Sequence, residues 1–295
     1  MNETIYDLDE IRRNPVSRRA FFTRMTAAGL GVAAAGMLAG TNIACGGDDN
    51  NDNDLNVGFF DNTNFPGVVG RNATEVVLNY ALMLEDIEAD LYRQALNAAS
   101  GRPLTQGLDS GTGETVGAYT RSIATGNLTA TQAEIGFLYL AQYGYVEATH
   151  RDFLRTELTR IGAPVAQPNQ RGYQLPAGTT ANLRSILELI YAVEETGVRA
   201  YLGAAGFMNF TTATDKAYVQ TAVAIHSTEA RHSAGIAYIL GLNTGPIYSL
   251  PGVSTGRRVT DQAAAANSGT GISEDTFQYY SDPTVVLNAV RPFIV

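Results

Sequence analysis

Glu147-Ala148-Thr149-His150 and Glu229-Ala230-Arg231-His232 repeat one Glu-x-x-His pattern in a chain that holds only three histidines. On a helix, residues three apart share a face, so the carboxylate and imidazole of each copy can reach one point. Both copies sit in runs with helical periodicity. Around the first, the stripe reads Leu140, Tyr143, Glu147, His150, Leu154 and Leu158. Around the second it reads Tyr218, Ala222, Ile225, Glu229, His232, Ile236 and Leu240. Each ionisable pair therefore falls on the face that a helix turns toward a core. The third histidine, His226, is out of phase with that face and reads as a polar surface residue.

Two further helical stripes carry carboxylates near mid-length. One reads Leu78, Ala81, Glu85, Glu88, Tyr92, Ala95; the other reads Leu187, Tyr191, Glu194, Val198, Tyr201. The helices they imply run from Asn72 to Ala99, Thr131 to Arg160, Thr180 to Ala205 and Thr214 to Leu240. Asn72-Ala73-Thr74-Glu75 is a capping signature, and Gly101, Gly162, Gly206 and Gly241 mark the stops. At 1.5 Å per residue each helix spans about 40 Å. Four helices of matched length predict an all-α four-helix bundle.

The short link before Thr214 makes the last two helices antiparallel neighbours. The link from Gly162 to Gly178 contains Pro164, Pro168 and Pro176. Extended, it reaches about 55 Å, enough for a long crossover down the bundle. The link from Gly101 to Leu128 is longer than a hairpin needs and reads as a lid or a surface insertion.

Carboxylates on four buried stripes repel one another, and each costs several kcal/mol to desolvate unpaired. Arginines could neutralise them, but Arg93, Arg151, Arg199 and Arg231 lie off the stripes. Two divalent cations bring four positive charges, which match four carboxylates with two neutral imidazoles completing the set. A faint repeat narrows the choice: Glu85 precedes Tyr92, and Glu194 precedes Tyr201, by the same seven positions. It selects Glu85 over Glu88 and Glu194 over Glu195 as the bridging carboxylates, leaving Glu88 and Glu195 as surface neighbours. Tyr92 and Tyr201 read as core packing first, and as hydrogen-bond donors to a ligand carboxylate second. Glu188 is off the stripe.

The remaining sequence places the bundle in a setting. A net charge of −9 disfavours nucleic acid as a partner. The single cysteine, Cys45, excludes an internal disulfide and a Cys-x-x-Cys iron site. Ser17-Arg18-Arg19-Ala20-Phe21-Phe22 reads as a twin-arginine export motif, followed by an Ala/Gly-rich run that makes a poor membrane anchor. Ile43-Ala44-Cys45-Gly46 resembles the end of a lipoprotein signal, with Cys45 as the acylated residue. Asn42 stands where leucine is usual, and ordinary cleavage near Ala39 or Ala44 is the alternative. Export signal over 1–45, flexible acidic linker over 46–70, bundle over 71–242 and a C-terminal extension over 243–295 with a short helix near Pro283 to Val290 complete the division.

At these residues the chain resembles the ferritin-like superfamily, and within it the branch of desiccation-related proteins and their bacterial relatives. Leu84-Glu85-Asp86-Ile87-Glu88-Ala89-Asp90-Leu91-Tyr92, Glu194-Glu195-Thr196-Gly197-Val198-Arg199-Ala200-Tyr201 and the Pro283–Phe293 ending carry the likeness. Ferritin-like di-iron and di-manganese proteins take one Glu from each of two helices and a Glu-x-x-His from each of the others. The resemblance thus implies Glu85, Glu147, His150, Glu194, Glu229 and His232 as metal ligands for two iron or manganese ions. It implies O₂, peroxide or ferrous iron as small substrates, and the export motif implies a periplasmic or cell-surface protein that meets a membrane only through a lipid on Cys45. A non-catalytic stress protein with the same bundle, or an iron store, fits the sequence as well, and the sequence is silent on oligomeric state, a homo-oligomer included.

Overall fold

The computed structural model describes residues 64–107, 119–246, 257–258 and 278–295. The twin-arginine segment, Cys45 and most of the acidic linker lie outside the described residues, as does most of the Gly-rich stretch after Leu242. Five α-helices are described: α1 (Ala73–Ala99), α2 (Ala130–Arg160), α3 (Leu183–Ala205), α4 (Ala213–Leu240) and α5 (Pro283–Val290). Short 3₁₀ turns cover Thr179–Ala181 and Arg291–Phe293. Two-residue strands β1 (Arg257–Arg258) and β2 (Tyr279–Tyr280) pair antiparallel, with Arg257 opposite Tyr280.

Side-chain caps set the helix starts. Asn72 accepts from the Glu75 amide at 2.9 Å, but the Glu75 carboxylate turns to Arg71, whose backbone N–H donates to it at 2.8 Å. Thr129 with Gln132 and Thr212 with Asp215 form complete reciprocal capping boxes. The third helix begins three residues later than its periodicity suggests. Asn182, in extended conformation, accepts from the Ser185 amide at 2.9 Å and separates a 3₁₀ turn from α3.

Contacts across the bundle fix its directions. Tyr92 meets Glu194 while Tyr201 meets Glu85, so α1 and α3 are antiparallel. Glu147 meets His232 while His150 meets Glu229, so α2 and α4 are antiparallel as well. Within the pairs, Arg155 of α2 reaches Asp86 of α1, and Ser233 of α4 donates to Glu195 of α3 at 2.6 Å. Gly144 lets α1 and α2 close up: a Cβ there would stand 2.9 Å from Cβ of Tyr92.

The link from α2 to α3 is a true crossover. Buried Asn79 donates to the Pro164 carbonyl at 2.9 Å and accepts from the Ala166 amide at 2.7 Å. Fifteen residues further along α1, Gln94 donates to the Tyr173 carbonyl at 2.9 Å. The crossover therefore follows α1 for about 22 Å, at 1.5 Å of helix rise per residue. The Leu183 amide then donates to the Ala124 carbonyl at 2.8 Å, which ties the start of α3 to the α1–α2 link. That link is integrated at its described end, with Tyr119 and Leu128 buried.

The C-terminal segment returns to the crossover. Gln174 N–H donates to the Phe293 carbonyl at 2.8 Å, and Tyr173 bridges Ile294. On the other side, residues expected to be flexible linker belong to the core. Phe65 and Val68 are buried, and the Phe65 ring packs edge-on against Tyr80 and Phe207. Aromatic residues placed just before a capped helix pack back onto it, and the polar composition of the linker as a whole hid them. With these coverings, α1 and α3 are buried nearly all round. No described helix is long and apolar enough to cross a membrane.

Candidate metal centre

The four seams bring the expected carboxylates and imidazoles to one place. Glu85, Glu147, Glu194 and Glu229 have no solvent exposure, and His232 and His150 are nearly and mostly buried. Two groups of ligating atoms result, each within 4.8 Å of one another. Glu85, Glu147, His150 and Glu229 form the first; Glu147, Glu194, Glu229 and His232 form the second. His150 Nδ1 stands 3.0 Å from Glu147, 3.3 Å from Glu229 and 3.5 Å from Glu85. His232 Nδ1 stands 2.6 Å from Glu147 and 3.5 Å from Glu194.

The carboxylates common to both groups are Glu147 and Glu229, whereas the sequence repeat assigns the bridging place to Glu85 and Glu194. The reason is the antiparallel crossing of α2 and α4. One helical turn separates Glu from His in each motif, so the opposed helices set each glutamate between both imidazoles. Glu85 and Glu194, on the other diagonal, each face one imidazole only.

Whether these residues suit cations can be read from their unmet hydrogen-bonding capacity. Buried polar groups in folded proteins are nearly always paired. Yet Glu85 Oε2, Glu147 Oε1, Glu194 Oε2, both oxygens of Glu229 and His232 Nδ1 make no aligned hydrogen bond. These are the atoms that converge within the two groups. Two ions of hard or borderline character, held by carboxylate oxygen and imidazole nitrogen, would satisfy these atoms together.

The electrostatics show the strain of four acids together. Burial raises the Glu85 carboxyl to about 7 despite its contact with His150. Burial, with Glu147 and Glu194 nearby, drives Glu229 well above the ordinary carboxylate range. At Glu147 burial also pushes upward, but His150 and His232 outweigh it and hold the group at about 2. Burial works against charge on both imidazoles. The facing carboxylates prevail and raise each to about 10.

Tyr92 and Tyr201 pack in the core and also bond to the acids. Tyr201 donates to Glu85 Oε1 at 2.5 Å, and Tyr92 donates to Glu194 Oε1. In both carboxylates the tyrosine takes one oxygen and leaves Oε2 directed into the centre. Tyr143, one helical turn before Glu147, was legible only as a core residue. Its ring stacks on His232, 3.9 Å between centroids, and on Tyr139 at 4.6 Å.

Two sequence-level assignments change, those of Glu88 and Glu195. Glu88 and Glu195, expected at the surface, are 4% and 5% exposed. Glu88 is sheltered by the crossover and the C-terminal segment, which the periodicity of α1 alone could not reveal. Glu195 accepts from Ser233 and lies 3.7 Å from Arg199, itself fully buried beneath the C-terminal segment. His226 is half-buried, out of the centre, with Nδ1 donating to the Val198 carbonyl at 3.1 Å. Glu188 is exposed and ion-paired to Arg184 at 2.8 Å.

Antiparallel pairs joined by a crossover, with a carboxylate–imidazole cluster suited to two cations at mid-length, define a metal-carboxylate four-helix bundle. Residues 74–242, more than half of the chain, match the family model described as the ferritin-like domain. The chain belongs to that family. A search of the curated proteins found no match.

Proposed function

We propose that this protein is an exported dimetal carboxylate protein, holding iron or manganese, that acts on O₂ or peroxide or oxidises ferrous iron in stress protection. The observation that carries the reading is the pair of overlapping ligand groups, in which Glu147 and Glu229 belong to both. Glu85 and His150 complete one position, and Glu194 and His232 complete the other. Two redox-active ions there would each supply one electron to a small oxidant.

The protein's own contribution is positional. Tyr201 and Tyr92 fix the terminal carboxylates, so little reorganisation is needed when a cation arrives. Tyr143 holds the His232 ring by stacking. The surrounding Leu, Ile and Tyr side chains exclude bulk water and strengthen every charge interaction inside. The twin-arginine motif supports export of a protein folded around its ions, and Cys45 supports lipid attachment afterwards. The sequence likeness to desiccation-related proteins supports the role in stress.

Elemental analysis of the protein purified from an exporting host, followed by peroxide-consumption and ferrous-oxidation assays, tests this. Two iron or manganese ions per chain with turnover of either substrate is the expected result. Full loading without turnover would assign the ions a structural role, and a chain that binds no transition metal would overturn the reading.

A further inference from the structure

A cleft lies between α1, α3 and the C-terminal segment, and it runs from exposed Pro176 to buried Glu88 and Gly197. Its walls are largely aliphatic and aromatic, with Ala192 on the α3 side and Ala289 and Phe293 on the C-terminal side. Three polar side chains occur along it, and two are engaged. Glu188 is ion-paired with Arg184, and the Thr196 hydroxyl donates to the Ala192 carbonyl at 2.8 Å. Glu88 differs: it is 4% exposed, and its Oε2 has no hydrogen-bond partner.

Gly197 separates this inner end from the centre. A Cβ at that position would stand 2.8 Å from Glu88 Oε1 and 3.5 Å from Glu229 Oε2. The missing side chain is thus the space in which Glu88 and Glu229 face one another. The tyrosine–glutamate repeat pairs Glu85 with Glu194, so the position equivalent to Glu88 on α3 is Gly197 itself. The absent side chain lets the Glu88 carboxylate lie against the α3 backbone, beside Glu229 at the edge of the centre.

We propose that the cleft is the passage by which a small neutral oxidant, dioxygen or hydrogen peroxide, reaches the centre. Gly197 lets the Glu88 carboxylate stand between the cleft and Glu229, and Glu88 is the polar group that meets the molecule there. This rests on the dimetal reading above. The wall chemistry sets the class of traveller. A hydrated cation would lose the solvation of its charge against aliphatic walls, whereas dioxygen has no bound water to lose and hydrogen peroxide gives up hydrogen bonds but no charge solvation.

Nitric oxide, a neutral diatomic that colours ferrous centres, serves as the probe. The ferrous-loaded protein is mixed with it anaerobically in a stopped-flow instrument, and iron content is measured in parallel. Ala192→Phe and Ala289→Phe each narrow the cleft from a different wall, away from the ligand residues. Each is expected to slow nitric oxide association by about tenfold or more, with iron content unchanged. Ala289 is half-buried at the rim, where added bulk is tolerated best, and it carries the test if Ala192→Phe does not fold. Parent-like association in the folded variants overturns the passage while leaving the dimetal reading intact. A parent protein that takes up neither iron nor manganese overturns both.

Discussion

Tyr201 on α3 donates to Glu85 on α1 at 2.5 Å, and the oxygen it leaves free, Oε2, is the one turned toward His150 at 3.5 Å. The hydroxyl thus decides which carboxylate oxygen is available to a cation. Removing such a supporting group lowers metal affinity by about 10–100-fold without unfolding the protein. Tyr201→Phe should weaken one of the two cation positions by that amount, as read by competition with a chelator. An unchanged affinity would show that packing alone orients Glu85.

The roles of the glutamates separate by stoichiometry. Glu147 belongs to both ligand groups and Glu85 to one. Glu85→Gln should therefore leave one cation bound with near-parent affinity, while Glu147→Gln should weaken both positions together. Metal content after dialysis at a fixed free concentration distinguishes the two. Equal losses in both variants would return Glu85 to the bridging role that the sequence first suggested.

Much of this centre was readable from periodicity, and the reasons for the remainder are physical. Glu147, His150, Glu229 and His232 share stripes with Leu and Ile, and an ionisable group on an apolar stripe is visible in a single helix. Which glutamate bridges is not a property of one helix. It depends on the antiparallel crossing of α2 and α4, which places Glu147 and Glu229 in both groups, whereas the seven-residue spacing on α1 and α3 pointed to the other diagonal. Burial of Glu88, Glu195 and Arg199 depends on segments distant in sequence, the crossover and the C-terminal return, that cover faces a lone helix would expose. Phe65 and Val68 were hidden by the polar composition of the stretch around them.

Arg199 is the largest fully buried side chain among the described residues, and Glu195 Oε2 lies 3.7 Å from it. Its carbonyl accepts from the Ser281 amide at 3.2 Å, so one residue joins α3 to the C-terminal segment. Removing one partner of a buried ion pair strands the other charge, at a cost of about 3–5 kcal/mol. Arg199→Ala should lose that much in denaturant unfolding, whereas Arg199→Met with Glu195→Gln should recover much of the loss. Failure of the double variant to recover would mean that Arg199 acts through packing volume rather than charge.

The acids and imidazoles of the centre make the metal-free protein's stability fall as pH rises. A group whose folded pKa lies above its unfolded value binds more protons when folded, so its contribution is complete below the unfolded pKa and vanishes as pH climbs through the folded one. For His150 and His232 that window runs from 6.5 to about 10, and for Glu85 from 4.5 to about 7. Glu229 and Glu88 are raised as well and add to the same trend. Glu147, lowered from 4.5 to about 2, acts oppositely, and its contribution is lost only as pH falls through that lower window. Calorimetry in the presence of a chelator should therefore show the highest Tm at mildly acidic pH and a steady decline toward pH 10. Metal affinity should follow the reverse course, because cations displace the protons that stabilise the metal-free form. A metal-free Tm that stays level or climbs between pH 6.5 and 10 would mean that the folded centre holds no more protons than the unfolded chain in that range, on its imidazoles or on its carboxylates.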